Sequence, residues 1–175
     1  MFDIKTFDVK KYDAILARGL SNGVGDRGGQ MCIEAAICAT LDLPHGDDPR
    51  CVSPAVREFK IKLNDSNWSS PEARSHGLHD LGIAQLGSLG VISDQEFSTR
   101  LARATIQFLL PPLFRELHPN GSMEDIAKRC EIEGTEEAAW AARVEAAVGD
   151  KYLLLSANLA LNILKKLKSP GCTLL

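Results

Sequence analysis

The sequence lacks the patterns that predict β-strands. Aromatic residues amount to six Phe, two Tyr and two Trp among 175 residues. No segment sustains the alternation of apolar and polar residues that a half-buried strand shows. Helical spacing of apolar residues runs through the chain instead, so we predict an all-α, single-domain bundle of about seven to nine helices.

Long hydrophobic runs are also missing. The longest, residues 152–164, is interrupted by Asn158 and Asn162, whereas a membrane span needs roughly 18 or more apolar residues. Asp3 and Asp8 interrupt any apolar run near the N-terminus, which argues against a secretory signal. We therefore predict a cytoplasmic protein that does not bind membranes.

No excess of positive charge is present. The net charge is −3, whereas nucleic-acid-binding domains are usually basic. Residues 86–104 have the layout of a helix-turn-helix unit, but the second helix begins Asp94-Gln95-Glu96, which repels phosphate. These observations argue against a nucleic-acid partner.

The cysteines lack a recognisable spacing. Their number is odd, which is unlike a disulfide framework and indicates free thiols in a reducing compartment. Cys32, Cys38, His45 and Cys51 follow C-x5-C-x6-H-x5-C, which is not a compact zinc-site spacing. We predict no metal site.

A glycine-rich stretch, GVGDRGGQ at 23–30, contains G-x-G-x-x-G. A dinucleotide fingerprint needs a strand before it, and here the preceding segment has helical periodicity. A phosphate loop would end in Gly-Lys-Ser/Thr rather than in Gly28-Gly29-Gln30. We predict a plain inter-helix loop and no cofactor, with an anion site at the next helix N-terminus as the alternative.

Several helix starts are clear. Ser53-Pro54 and Ser70-Pro71 each place a hydroxyl N-cap before a proline in the first helical position. Pro111-Pro112 is expected to end one helix and begin another. We predict one helical domain over 1–175, with a soft boundary near 119–135 and helices at 8–19, 30–42, 54–65, 71–87, 94–110, 112–118, 122–131, 135–148 and 151–167.

The predicted helix 30–42 is apolar around almost its whole circumference, which predicts a buried position at the centre of the bundle. Its one charge is Glu34. Because an isolated buried carboxylate is costly, we expect an arginine partner or a hydrogen-bond network, and Arg57 and Arg74 are the candidate arginines.

Cys32 follows Gln30 in the predicted first turn of this helix, where backbone N–H groups can lower a thiol pKa. A glutamine just before a helical cysteine resembles the layout of papain-like peptidases. The resemblance implies a nucleophile at Cys32 with Gln30 at the oxyanion, and it needs a histidine base. The candidates are His45 or His79 as base, with His76 further, and Asp47, Asp48 or Asp65 as the orienting acid. A buried structural thiol is the alternative that we favour.

Two polar connections are candidate binding segments. Residues 43–54 contain Asp47 and Asp48 beside His45, and residues 62–74 surround a tryptophan with polar groups. Loops carry binding residues more often than helices do, but for residues 43–54 we favour a solvated turn whose Asp side chains hydrogen-bond to nearby backbone. The candidate binding residues are Asn64, Asp65, Trp68, Arg74, Asp47 and Asp48.

The second of these segments carries a resemblance. A Cys-x-x-x-Ala-Ile helix is followed by an Asn-Asp…Trp segment and a helix rich in Arg and Leu. The residues are Cys32, Ala36, Ile37, Asn64, Asp65, Trp68, Arg74 and Leu78. This pattern resembles a group of uncharacterised bacterial and phage proteins over roughly residues 28–90, about a third of the chain. The resemblance implies a bacterial or phage origin and no chemistry.

The chain ends in Cys172-Thr173-Leu174-Leu175 behind three lysines, which matches a prenylation box. We interpret it as a chance match after a helix whose lysines suit its negative end.

The functional hypothesis is a small accessory or regulatory protein that acts by binding another protein rather than by catalysis. It requires an exposed apolar or aromatic patch, with Trp68, Phe114 or Trp140 as members. The alternative is a thiol-dependent hydrolase or transferase using Cys32.

Overall fold

The computed structural model describes residues 3–135 and 149–175, and within these ranges it contains helices and no strand. Two isolated bridges join Met31 to Leu20 and Gly25. The all-α prediction is confirmed. The predicted helix 135–148 lies outside the described residues from residue 136 onward. The α-helices are α1 Val9–Leu16, α2 Ile33–Thr40, α3 Pro54–Asn64, α4 Pro71–Ala84, α5 Asp94–Ala104, α6 Leu110–Leu117, α7 Glu124–Glu133 and α8 Asp150–Lys166.

Helix α2 is buried, as its composition predicts, and packs against α1, α3 and α4. Ile33, Ala36 and Ile37 are completely shielded from solvent. The helix begins at Ile33 rather than at residue 30, because Cys32 is extended and serves as its N-cap. Its alanines allow the neighbouring helices to approach closely, which places the main core around this short segment.

Helices α4 and α8 form the most extensive contact between two helices of the described ranges. A smaller core holds α7 against α6, through Ile106, Phe114, Ala127 and Cys130. The predicted soft boundary therefore falls on a segment that packs against its neighbours. None of the described helices combines the length and apolarity that crossing a bilayer requires.

The two predicted serine caps behave differently. Ser70 Oγ accepts a hydrogen bond from Ala73 N at 3.0 Å, as expected of an N-cap. Ser53 makes no such bond. Its hydroxyl donates instead to Asp94, whose Oδ1 also accepts from Ala55 N at 3.3 Å. The start of α3 is therefore capped by the first residue of α5.

A new helix begins at Pro111-Pro112 as predicted, since α6 starts at Leu110, but the preceding helix α5 already ends at Ala104. Both prolines lie in the first turn of α6, where a missing N–H costs little. The irregularity falls upstream, in a π-helical turn at Thr105–Leu109 that ends with Leu110 N donating to Thr105 O. The wider turn lets the chain continue from α5 into α6.

The segment after α8 folds back onto α4. Residues Pro170–Leu174 form a short 3-10 helix. Gly171 N donates to Leu86 O at 2.8 Å, and Ser169 Oγ donates to Ala84 O. A side chain at position 171 would collide with Ile83 O at 2.0 Å, so only glycine allows this approach.

Candidate functional site

Four of the residues predicted as candidate catalytic or binding residues meet at one pocket. We call it the junction pocket, a cavity of about 170 Å³ between the glycine loop, the start of α2, the loop after α2 and the end of α3. Cys32, Asp47, Asn64 and Asp65 all line it. The full lining is Gly23, Val24, Cys32, Ile33, Glu34, Asp47, Ile61, Asn64 and Asp65.

The end of α3 holds these segments together. Asn64 is fully buried; its Oδ1 accepts from Ile33 N at 3.2 Å and its Nδ2 donates to Ser21 O at 3.0 Å. Asp65 Oδ1 accepts from Gly23 N at 2.9 Å. The Asn-Asp pair thus fixes both the glycine loop and the N-terminus of α2.

The glycine loop follows α1 rather than a strand, as predicted. Gly23 and Gly25 have φ of 67° and 71°, a conformation that other residues rarely adopt. At the start of α2, Ile33 N is bound to Asn64 and Ala35 N to Cys32 Sγ. Donors that an anion would need are therefore already engaged within the protein.

Trp68 and Arg74 hold the end of α3, which forms one wall of the junction pocket. Arg74 is only 8% exposed; its Nε donates to Asn64 O at 2.8 Å and its Nη1 to Leu20 O at 2.7 Å. Trp68 Nε1 donates to Leu63 O at 2.8 Å. Neither side chain lines the cavity, so their part is to position the end of α3.

A buried ion pair lies beside the pocket. Glu34 and Lys60 are both completely buried, with Lys60 Nζ 3.3 Å from Glu34 Oε1. Gln85 Nε2 donates to Glu34 Oε2 at 2.8 Å. Burial raises the pKa of Glu34 and lowers the pKa of Lys60, since each loses its hydration, and the attraction between them opposes both changes.

Of the two expectations for Glu34, the hydrogen bond is found, from Gln85, whereas the arginine partner is wrong because the cation is Lys60. Arg74 binds backbone carbonyls, and Arg57 lies 3.5 Å from Asp48 and 4.0 Å from Asp47. The sequence does contain a signal that Lys60 is buried. It occupies an apolar-face position of α3, at helical spacing from the buried Val56 and Leu63.

Cys32 lies at the N-cap of α2 rather than in its first turn. The side chain is 5% exposed, and Sγ accepts from Ala35 N at 3.4 Å. Burial raises the pKa of this thiol by more than the backbone N–H groups lower it. The expected depression of the pKa is therefore not found.

The candidate partners of Cys32 make their hydrogen bonds elsewhere. Gln30 Nε2 donates to Arg18 O at 2.9 Å, and a ring nitrogen of His45 lies 3.1 Å from Gly25 O. His79 lies between Asp13 and Asp80, each 2.8 Å from one ring nitrogen. Its hydrogen bonds thus join α1 to α4.

A second, larger concavity lies between α3 and α5. We call it the α3–α5 groove; its volume is about 520 Å³. Its floor is the edge-to-face pair Phe59 and Phe97, with ring centroids 6.3 Å apart. The π-helical turn closes one end through Thr105 and Ile106. The lining is Ala55, Glu58, Phe59, Lys62, Phe97, Ser98, Leu101, Ala102, Thr105 and Ile106.

Two of the three aromatic residues expected on a binding surface, Trp68 and Phe114, are buried. Trp68 is 7% exposed and Phe114 is fully buried, so neither forms a surface patch. Trp140 lies outside the described residues. The most exposed aromatic side chain of the described ranges is Phe108 in the π-helical turn, at 59%.

Within the described ranges, no cluster of three or more His, Cys, Asp or Glu side chains has a metal-binding arrangement. At the C-terminus, Cys172 is half-buried and its Sγ points to Ala84 O at 4.0 Å.

Comparison with known proteins finds no matching family model, no matching curated protein and no matching solved structure.

Proposed function

We propose that this protein is an accessory or regulatory protein that binds an amphipathic helix of a partner protein in the α3–α5 groove. The observation that carries the proposal is an apolar floor left open between two helices. Phe59 and Leu101 are half-buried although they belong to the edge of the main core. Concave apolar surfaces of this kind bind protein or ligand groups.

The dimensions of the groove favour a helix. Helices α3 and α5 each have 11 residues, which gives walls of about 16 Å at a rise of about 1.5 Å per residue. A helix of about three turns would lay its apolar stripe along such walls. The rim carries both charge signs, through Glu58 and Lys62, which suits the mixed polar flanks of an amphipathic helix.

The π-helical turn adds support. Such turns are rare and occur frequently at functional sites. Here the turn places Thr105 and Ile106 in the lining while Phe108 extends into solvent. A partner helix that runs past this end would cover Phe108.

A selection experiment tests the proposal. A displayed library of random peptides is selected on the native protein, and enriched peptides are measured by fluorescence anisotropy. We expect apolar residues at helical spacing in the enriched peptides. Ala102→Glu introduces a negative charge into the lining of the groove and should weaken binding at least about tenfold, since a bound apolar peptide would remove that charge from water.

Thr99→Glu is the matched control. Thr99 is exposed on the same helix and does not line the groove, so the variant carries the same added charge without entering the groove. Equal binding of the selected peptides to both variants would contradict the proposal.

We propose a bacterial or phage cytoplasm as the setting. The absence of disulfides among the five cysteines suits a reducing compartment.

The alternative, a thiol-dependent hydrolase or transferase using Cys32, rests on the position of Cys32 in the junction pocket. The raised pKa of the thiol and the other hydrogen bonds of His45 and His79 favour binding over catalysis.

A further inference from the structure

Helices α3 and α5 run in the same direction along the α3–α5 groove. At one end, Asp94, the first residue of α5, accepts from Ala55 N near the start of α3 at 3.3 Å. Further along, the Phe59 ring meets the Phe97 ring, with centroids 6.3 Å apart. Because the two helices begin together and their later residues also face one another, both helix dipoles have their positive ends at the Asp94 end of the groove.

The charges on the rim of the groove differ between its two ends. Asp94 is exposed at the end where the two helices begin, and Glu58 lies one turn into α3. Lys62 lies one turn further, towards the end that Thr105 and Ile106 close. The rim is therefore acidic where α3 and α5 begin and basic at the opposite end.

The ion pair between Glu58 and Lys62 leaves both charges accessible to a partner. The two side chains are 2.8 Å apart, and they are 69% and 73% exposed. Exposed ion pairs of this kind contribute little to stability, because water solvates the separated charges almost as well. Replacing this contact by contacts with a bound helix therefore costs little.

On the basis of the proposed function, we propose that the partner helix runs antiparallel to α3 and α5, with acidic residues in its first turn and basic residues in its last turn. In this direction the acidic first turn meets Lys62, and the basic last turn meets Glu58 and Asp94. The same charge order stabilises the partner helix itself, because it complements the helix dipole. That dipole also lies opposite to those of α3 and α5.

Two peptides of about 14 residues test this assignment. Both carry leucine and alanine along one helix face, and their termini are acetylated and amidated to remove the terminal charges. The first has glutamate in its first turn and lysine in its last turn, and the second has these charges exchanged. Fluorescence anisotropy measures the affinities. A nitroxide label at the peptide N-terminus reports the direction, because it broadens the signals of nearby amides of the ¹⁵N-labelled protein.

The first peptide should bind at least about threefold more tightly than the second at low salt, and the difference should disappear at about 1 M NaCl. Its label should broaden the amide signals of Lys62 and Thr105 more than those of Ala55 and Asp94.

A charge exchange in the protein provides a second measurement. Glu58→Lys combined with Lys62→Glu keeps the net charge and the apolar floor, and it should weaken binding of the first peptide at least about threefold. Glu96→Lys combined with Arg100→Glu is the matched control. This pair on α5 also has a spacing of four residues but does not line the groove, so the affinity should change less than about twofold.

Equal affinities of the two peptides, broadening centred on the Asp94 end, or equal losses in the two exchanged variants would overturn the assigned direction and charge order, while the groove would remain a helix-binding site. If neither peptide binds saturably, both this assignment and the proposed function fail. Self-association of the protein through the groove, detected by sedimentation, would also overturn the assignment, because the occupant would then be a second copy of the chain.

Discussion

Lys60 places a charged ammonium group inside the protein core. Its ammonium is completely buried in α3 and faces one carboxylate from α2. Removing both charges from water costs several kcal/mol per ion in typical proteins, and the mutual attraction repays that cost only with good geometry. The intact pair therefore adds little net stability, whereas removing one partner alone is costly.

Lys60→Met should reduce the free energy of unfolding by about 3 to 5 kcal/mol, because it leaves Glu34 buried without its cation. Adding Glu34→Gln should recover most of this loss, since the amide oxygen still accepts from Gln85 and no charge remains. Urea unfolding at pH 7 of the wild type, both single variants and the double variant measures the coupling. Additive losses would show that the two side chains do not interact.

At the scale of elements, the start of α3 depends on α5. Asp94 accepts from the Ser53 hydroxyl and from Ala55 N, so one carboxylate satisfies a donor at the N-terminus of another helix. The two helices that wall the α3–α5 groove are thereby joined at one end by a specific hydrogen bond.

Asp94→Ala should destabilise the protein by about 1 to 2 kcal/mol, because it removes this cap and leaves the Ser53 hydroxyl buried without an acceptor. Asp94→Asn is the control; its amide oxygen still accepts, so the loss should be smaller. Thermal or urea unfolding compares the two, and equal losses would assign the effect to the charge alone.

The helices themselves follow from sequence, because apolar spacing and the Ser-Pro starts of α3 and α4 are local features. The cap supplied by Asp94 is not local: Ser53 and Asp94 are 41 positions apart. The π-helical turn is not predicted either, since the two prolines mark where α6 begins and not the irregular turn before it. The same holds for the site: Cys32, Asp47, Asn64 and Asp65 stand out individually, but tertiary packing alone brings them together.

At the scale of the whole molecule, His79 joins α1 to α4. Both ring nitrogens lie 2.8 Å from a carboxylate, Asp13 on α1 and Asp80 on α4. Burial lowers the pKa of His79, but the hydrogen bonds to Asp13 and Asp80 outweigh this effect and raise it above its usual value of 6.5. The protonated ring is therefore the form that ties the two helices.

This arrangement predicts a pH-dependent stability. Because the folded-state pKa is raised, the contribution is complete below about pH 6.5 and is lost as the pH rises through the folded value. His79→Gln should remove that dependence, so that its stability deficit relative to the wild type shrinks with increasing pH. Urea unfolding from pH 5.5 to 9 measures it, with His76→Gln, an exposed neighbour on α4, as control. A deficit that is constant with pH would contradict the prediction.

The segment after α8 makes contacts with α4 that can form only late in synthesis of the chain. The carbonyl of Ala84, at the end of α4, receives its bond from Ser169, which is 85 positions later in the chain. A ribosome makes proteins from the N-terminus, so α4 is synthesised long before residues 169–172 exist. During that interval the end of α4 and its apolar contacts stay uncovered. The hydrogen bonds that cover the end of α4 can therefore form only after residue 171 has been synthesised.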